Sequence, residues 1–258
     1  MHEQRYNDIG GRGRRSRRRD RTLMVLRLVA AGLSLVLAVE LLWALYRSPR
    51  LQVRQVRVVG VRMLDPAAVI ASAAIPPGAT LAGVSTRKLR RAIAAIPAVE
   101  RATVARDWPA TLVIVVRERT PAVFVRCRQG IVFVDRRGIA FTGTRCDTAG
   151  LPELKGVGVA PGEIGRALKG RAVAQALVAL SAAQEAELPV SEVVLRGRDD
   201  LALRLADGTA LHLGRPQQLR LKVSQAKVAL IELRPRQRVE YIDVSCPDAA
   251  VWKPRLES

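Results

Sequence analysis

The hydrophobic and polar positions of the chain begin with one long apolar run. It extends from Leu23 to Leu45 and contains only two charged residues, Arg27 and Glu40. At about 1.5 Å rise per residue, a helix of this length spans roughly 34 Å, enough to cross a hydrocarbon core of about 30 Å. The run predicts a transmembrane helix over residues 22–46, preceded by a basic tail over residues 1–21 that we predict to be disordered.

Beyond the span, strand-like and helix-like spacings of apolar residues follow one another over residues 47–120. They predict strands at 52–60, 99–106 and 111–118 and helices at 66–74 and 85–96. Asp65 and Pro66 supply an N-cap and a first-turn proline for the first of these helices. The order strand, helix, helix, strand, strand predicts a compact unit with two amphipathic helices on one face of a three-stranded sheet.

Residues 121–252 predict a second and larger unit. It contains short strands at 121–127, 131–134, 139–141 and 191–195, a hairpin at 201–213, helices at 170–187 and 217–233, and a final strand at 239–245. In the hairpin, Leu211 and Leu213 are expected to face inward and His212 outward. The predicted fold class is α+β: a single N-terminal transmembrane helix, the smaller unit, and a mixed α/β domain on an extended antiparallel sheet. Residues 253–258 are predicted to form a tail.

The charged flanks predict the orientation of the span. Seven arginines lie between Arg12 and Arg21, whereas the eleven residues after Tyr46 contain four, and the denser positive cluster stays in the cytoplasm. A cleaved secretory signal is the alternative. However, the apolar run exceeds the about 7–15 residues of a signal core, and Glu40, Trp43 and Tyr46 stand where a small-residue cleavage site belongs. We therefore expect an uncleaved anchor whose C-terminal domain lies outside the cytoplasm.

The net charge of +20 is unevenly distributed along the 258 residues. Residues 1–46 contribute +5, residues 47–120 contribute +9 and residues 121–258 contribute +6. Most of this charge lies on the predicted outside, where the polyanions are lipid headgroups and cell-wall polymers. Aromatic residues make up only 3% of the chain, so stacking platforms for nucleic acid are not expected. The +9 of residues 47–120 indicates either a solvated basic surface or a contact with anionic headgroups.

The sequence contains no recognisable catalytic or metal-binding motif. GxSxG, HExxH and Walker patterns are absent, and the histidines are His2 and His212. Cys127, Cys146 and Cys246 are too few and too scattered for a metal site, although an oxidising exterior permits a Cys127–Cys146 disulfide. We therefore expect no enzymatic activity, no cofactor and no small-molecule substrate.

Two charged features have both a structural and a functional interpretation. Arg117, Glu118 and Arg119 end a predicted strand without a second carboxylate or nucleophile close by, and we interpret them as a solvated face. Glu40 lies about five residues inside the outer end of the span, where its carboxylate either snorkels to water or meets a partner helix, and we favour snorkelling. Arg27 is near enough to the inner end to snorkel as well.

The phrase from Ile96 to Pro121 resembles a family signature. In it a helix ends in Pro-x-Val, a strand ends in Arg-x-Trp-Pro, and the next strand ends in Glu-Arg-x-Pro. This ordered set behind one membrane helix resembles the POTRA domain of the FtsQ/DivIB bacterial cell-division proteins. The segments VDRRGIAF at 134–141, LADGTALHLG at 205–214 and YIDVSCPDAAV at 241–251 resemble the β domain of the same family.

The resemblance implies a divisome scaffold at the septum, with FtsB-like and FtsL-like partners and other divisome membrane proteins. Such proteins bind FtsB by strand addition and link early and late division proteins to septal peptidoglycan synthesis. A final strand after a helix is expected at a sheet edge, where free N–H and C=O groups accept another strand. The implied partner-binding strand is Tyr241, Ile242, Asp243, Val244 and Ser245, with Val251 and Trp252 as nearby anchors. The simpler alternative is that Tyr241 and Val244 only close the core.

Two other classes of protein remain as alternatives. One is a POTRA-containing, membrane-anchored assembly or transport factor with a different partner, for which several POTRA repeats or a downstream barrel are expected. The other is a membrane-anchored cell-wall enzyme, which needs a catalytic constellation that the sequence lacks.

Overall fold

The computed structural model describes residues 10–46, 51–128, 130–143, 145–197, 200–233, 238–246 and 250–254. Its first helix, α1, runs from Gly10 to Tyr46 and contains the stretch Met24–Ala44, which is long and apolar enough to cross a membrane. The predicted apolar helix is therefore present. The predicted disorder is wrong over residues 10–21, which extend α1 because arginine is a good helix former and the span supplies the helix nucleus. The rest of the predicted tail, residues 1–9, lies outside the described residues.

The chain divides into two compact units. The first consists of residues 1–55, 76–84 and 106–112, and the second of residues 56–75, 85–105 and 113–258. In the first unit, backbone hydrogen bonds join segments that are far apart in sequence. The N–H of Leu81 donates to the carbonyl of Leu51 at 2.6 Å, and the N–H of Arg54 donates to the carbonyl of Ala110 at 2.9 Å. The residues just after the membrane helix are thereby fixed to two loops.

A three-stranded sheet has the strand order β1-β3-β2. Its elements are β1 (Gln55–Val59), α2 (Pro66–Ala73), α3 (Thr86–Ala94), β2 (Val99–Asp107) and β3 (Thr111–Glu118). The carboxylate of Asp65 caps α2 by accepting from the N–H of Ala67 at 3.1 Å, and the hydroxyl of Ser85 caps α3 by accepting from the N–H of Lys88 at 3.4 Å. The predicted order of strands and helices is confirmed.

A nine-stranded sheet follows in the order β12-β11-β10-β9-β8-β7-β4-β5-β6. Its strands are β4 (Pro121–Cys127), β5 (Gly130–Asp135), β6 (Ala140–Phe141), β7 (Glu153–Lys155), β8 (Val190–Leu195), β9 (Leu201–Leu205), β10 (Ala210–Gly214), β11 (Val239–Asp243) and β12 (Val251–Pro254). Two helices, α4 (Arg171–Glu185) and α5 (Leu219–Leu233), contact each other, and α5 packs on β10 and β11. The α+β class is confirmed.

The larger sheet is mixed rather than antiparallel. Strand β7 pairs in parallel with both β4 and β8, and β11 pairs in parallel with β10. The expectation of an antiparallel sheet is wrong here because α4 connects β7 to β8 and α5 connects β10 to β11, and a strand that follows a crossover helix returns in parallel. The predicted alternation in the hairpin holds, with Leu211 and Leu213 both fully buried.

Gly60 allows β1 and β3 to approach closely. Its φ of +88° lies in the left-handed region, which disfavours residues with a Cβ. A Cβ on Gly60 would also collide with the carbonyl oxygen of Val116 in β3. This position therefore requires glycine for two independent reasons.

The charged cluster at the end of β3 is only partly a solvated face. Arg117 fits that interpretation, because its side chain is 74% exposed where it meets Glu100 at 3.1 Å. Glu118 does not, because its carboxylate accepts from the N–H groups of Met63 at 3.0 Å and Leu64 at 2.8 Å. Glu118 thus fixes the segment that leads into α2.

Arg119 joins the small sheet to the large one. Its Nη1 lies 2.9 Å from Oδ2 of Asp135, with side chains 14% and 10% exposed, and its Nε donates to the carbonyl of Pro97 at 2.9 Å. The other carboxylate oxygen of Asp135 accepts from the N–H groups of Arg137 and Ile139 at 2.9 and 2.8 Å. Both ions therefore have several partners at the boundary between the two sheets, and the solvated-face interpretation of Arg119 is wrong.

Candidate partner-binding site

Strand β11, the predicted partner-binding strand, lies inside the larger sheet. Tyr241 pairs with Ala210 of β10 on one side, and Asp243 pairs with Val251 of β12 on the other. The expected edge position of β11 is therefore wrong, because the chain turns back after it and adds one more strand. The edge strand on this side of the sheet is β12, which includes residues 253–254 of the predicted tail.

Burial separates the five residues of the predicted partner-binding strand into two groups. Ile242 is 0% exposed and Val244 is 1% exposed, and both belong to the hydrophobic core. Tyr241 and Asp243 are half-buried, and Ser245 is exposed. Val244 therefore closes the core, as the simpler alternative holds, whereas the side chains of Tyr241, Asp243 and Ser245 remain accessible to a partner.

The accessible side of β11 carries several polar side chains that contact their neighbours. The ring of Tyr241 meets the ring of His212 edge-to-face with centroids 5.4 Å apart. The carboxylate of Asp243 accepts from the N–H of Ser245 at 2.8 Å. Burial favours a raised pKa for Asp243, but the hydrogen bonds from Ser245 and the charges of His212 and Lys222 outweigh it, so the pKa is lowered. Asp243 is therefore an anion at neutral pH.

Strand β12 presents exposed apolar side chains and free backbone groups. Val251 is 58% exposed and Trp252 is 40% exposed. The N–H of Val244 donates to the carbonyl of His212 in β10, so the backbone groups of Asp243 point the opposite way, toward β12. Because Asp243 is opposite Val251, the backbone groups of Val251 are used by β11 and those of Trp252 point to the open edge. Trp252 is therefore the residue of β12 best placed to pair with an added strand.

Lys222 of α5 is a buried cation that the sequence pattern did not reveal. It is only 2% exposed, and its ammonium group donates to the carbonyls of Leu213 at 2.7 Å and Arg215 at 2.9 Å. Burial lowers its pKa, and the nearby carboxylate of Asp243 opposes this shift. Lys222 thus holds the end of β10 in place beside β11.

Gly214, at the end of β10, determines how closely Ser245 approaches. Its φ is +59°, and a Cβ there would lie 2.7 Å from the Cβ of Ser245. The glycine is visible in the sequence at the end of LADGTALHLG, but its contact with Ser245 is not, because the two residues are joined only by the tertiary fold.

The three cysteines are free, so the permitted Cys127–Cys146 disulfide is not formed in the structure. Instead, the Sγ of Cys146 contacts the Sδ of Met63 at 3.3 Å. Burial, followed by the negative charges of Glu118 and Asp147, raises the pKa of the Cys146 thiol. Cys146 is therefore a protonated packing residue at neutral pH.

The polar residues of the membrane span lie on different faces of α1. Arg27 and Glu40 are thirteen residues apart, which separates them by about 20 Å along the axis and by about 140° around it. Both side chains are exposed. The two charges are therefore too far apart to pair within one helix.

Comparisons with known proteins extend over both sheets. Residues 51–119 match the POTRA domain, FtsQ-type, and residues 123–245 match the C-terminal domain of cell division protein FtsQ/DivIB. Cell division protein FtsQ of Streptomyces collinus is 34% identical over 242 residues, which are 90% of this chain and 88% of the relative. The protein of the same name from Streptomyces coelicolor is 29% identical over 95% of this chain and 94% of its own length. That of Mycolicibacterium smegmatis is 30% identical over 88% of this chain and 64% of its own.

Proposed function

The chain belongs to the FtsQ/DivIB family of bacterial cell-division proteins, and on this basis we propose that it is a non-enzymatic, single-span scaffold of the division machinery. Its partners are an FtsB-like protein held together with an FtsL-like one, and other membrane proteins of the divisome. The FtsB-like partner adds a strand to β12. Through these contacts the protein links early and late division proteins to septal peptidoglycan synthesis.

The open edge at β12 is the observation that carries this proposal. Edge strands that are not meant to pair are usually protected by charge, bulges or covering segments. Here, Lys253 and Pro254 protect the second half of the short strand, whereas Val251 and Trp252 in its first half are exposed at 58% and 40%. An added strand would pair with the backbone of Trp252 and bury its indole, and buried aromatic side chains supply much of the binding energy in interfaces.

The test is binding of an FtsB-like fragment to the full chain in detergent, comparing Trp252→Ala with Trp252→Pro. Alanine removes the indole, and we expect about tenfold weaker binding, equivalent to about 1.4 kcal/mol. Proline also removes the N–H that points to the open edge, which costs a further ~0.5–1.5 kcal/mol, or about two- to twelvefold in affinity. Proline at Ile242 is unsuitable, because this residue lies in the core and the sheet would not fold.

Trp108→Ala is the matched control, since Trp108 is also exposed, at 56%, but lies in the β2–β3 turn. It should bind the fragment as the unmodified chain does. Circular dichroism and thermal unfolding verify that each variant is folded. If Trp252→Pro and Trp108→Ala bound equally well, strand addition at β12 would be excluded.

We further propose that the N-terminus is cytoplasmic and that the domains after α1 lie outside, concentrated at the septum. The orientation is supported by the cluster of seven arginines before the span, and the septal location by the family alone. Cys246 is exposed and serves as a natural reporter. A membrane-impermeant maleimide added to intact cells should label Cys246 but not a cysteine introduced by Ser16→Cys, and the reverse pattern would refute this topology.

A further inference from the structure

The first compact unit ends in an exposed surface that is nearly free of charge. We define the apolar tip as residues 76–84 and 107–112. Its first segment contains no charged residue and its second contains only Asp107, although residues 47–120 as a whole have 13 basic and 4 acidic residues. Trp108 is 56% exposed, and Pro76, Pro77 and Pro109 are also exposed. A strongly basic region of the chain thus contains two loop segments whose one charged residue is Asp107.

The backbone of the apolar tip is largely satisfied by internal hydrogen bonds. The N–H of Ala79 donates to the carbonyl of Pro76 at 3.1 Å, and the N–H of Val84 donates to that of Thr80 at 3.0 Å. Its three prolines have no N–H to donate. These bonds and the prolines reduce the number of free donors in the exposed loops, which suits a surface that leaves water for a less polar medium.

Two arginines border the apolar tip: Arg54 is exposed and donates its backbone N–H to the carbonyl of Ala110, whereas the side chain of Arg106 is directed into the tip. The guanidinium of Arg106 donates from Nε to the carbonyl of Leu81 and from Nη2 to the carbonyl of Val84, both at 2.7 Å. These bonds hold the two loops of the apolar tip together. The exposed residues of the apolar tip thus include Trp108 and three prolines, beside the single carboxylate of Asp107.

The apolar tip is joined to the end of the membrane helix by a short length of chain. Residue 51 is five peptide steps beyond Tyr46, the last residue of α1, and five steps cover at most about 18 Å. The loop is bonded to this segment directly, since the N–H of Leu81 donates to the carbonyl of Leu51 and the N–H of Val53 donates to that of Ala79. The apolar tip thus cannot move far from the bilayer that α1 crosses.

We propose that the apolar tip rests on the surface of the bilayer crossed by α1, with the indole of Trp108 among the lipid headgroups. Tryptophan has an apolar ring with one N–H donor and is enriched at membrane interfaces for this reason. Because the apolar tip is almost uncharged, the contact needs no anionic lipid and differs from an electrostatic contact made by the basic residues of segment 47–120. The inference rests on the proposed function only in that α1 must span a membrane.

The three tryptophans of the chain allow a direct test, because each occupies a different environment. The full chain is reconstituted in phosphatidylcholine vesicles as three single-tryptophan variants. Trp43→Phe/Trp252→Phe keeps Trp108, Trp43→Phe/Trp108→Phe keeps Trp252, and Trp108→Phe/Trp252→Phe keeps Trp43. Tryptophan fluorescence is then measured with a headgroup spin-labelled lipid as the quencher. Trp43 lies within the span, so quenching of its fluorescence by the spin-labelled lipid verifies that the chain is inserted. Quenching of Trp108 and Trp252 is compared only after this check.

We expect headgroup quenching of Trp108 to be several-fold stronger than that of Trp252, which is exposed but lies in β12. The quenching should persist at about 1 M salt, where the Debye length is about 3 Å. Equal quenching of Trp108 and Trp252 would overturn the proposal, as would a loss of Trp108 quenching in high salt. The vesicles contain no division partner, so the result is independent of whether β12 binds one.

Discussion

At the scale of the residue, the charged residues of the Glu-Arg-x-Pro phrase connect the end of β3 to distant parts of the chain. In the sequence it is part of a family signature whose charges are expected to be solvated, because a run of charges at a strand end gives no local sign of its partners. The partners lie far away in sequence: Glu118 holds the backbone of Met63 and Leu64, and Arg119 pairs with Asp135. The phrase therefore fixes how β3 is joined to what precedes and follows it.

Replacing Arg119 by methionine should lower the free energy of unfolding by about 3 kcal/mol, because Asp135 would remain buried without its cation. Arg117→Met is the matched control, since Arg117 is 74% exposed and its pair with Glu100 contributes at most about 1 kcal/mol. Urea denaturation of the full chain measures both. Equal losses from the two substitutions would show that the Arg119 pair has no special role.

The predicted partner-binding residues illustrate what the residue pattern reveals and what it hides. Alternation along VEYIDVS correctly predicts a strand, but it does not show on which side another strand lies. Ile242 and Val244 are core residues. Which neighbours β11 has is decided by its tertiary pairing with β10 and β12. Lys222 was hidden for a similar reason, because the carbonyls that accept from its ammonium group belong to the end of β10 and the residue that follows it.

At the scale of the element, long periodic segments are predicted closely, whereas two of the short strands, β7 and β12, are not predicted from the sequence. Strands β3 and β4 have the predicted bounds, and α4 and α5 end within two residues of them. Strand β7 has three residues and β12 has four, too few to establish a period. Both exist because neighbouring strands offer hydrogen bonds, which the local sequence cannot show. Because the sequence does not reveal β12, the predicted edge strand is β11 instead of β12.

Gly60→Ala should destabilise the protein by more than about 2 kcal/mol, because a positive φ and a backbone carbonyl both oppose the new methyl group. Gly158→Ala is the control, since a methyl group added there would meet no atom within 4 Å and its φ is ordinary. The control should change the free energy of unfolding by no more than about 0.5 kcal/mol in urea denaturation. A small effect at Gly60 would mean that β1 can move away from β3 at little cost.

At the scale of the whole molecule, Glu40 bears on how the chain meets other single-span proteins. Its carboxylate lies four residues before Ala44, the end of the apolar stretch, within reach of water. Glu40→Leu should therefore leave co-purification with division partners and the complementation of a depleted strain unchanged. Val36→Leu, on a nearby part of α1, is the neutral comparison. If Glu40→Leu alone abolished assembly, the carboxylate would have to bind a partner helix within the membrane.

The ion pair between Arg119 and Asp135 also marks a position at which dividing the chain should destabilise both fragments. A fragment that starts at residue 121 keeps Asp135 but loses Arg119, so a carboxylate that is 10% exposed is left without its cation. A fragment that stops at residue 119 leaves the guanidinium without its anion. Although two separate family domains meet here, the two sheets should melt in a single calorimetric transition when the chain is intact, and each half should be less stable when it is expressed alone.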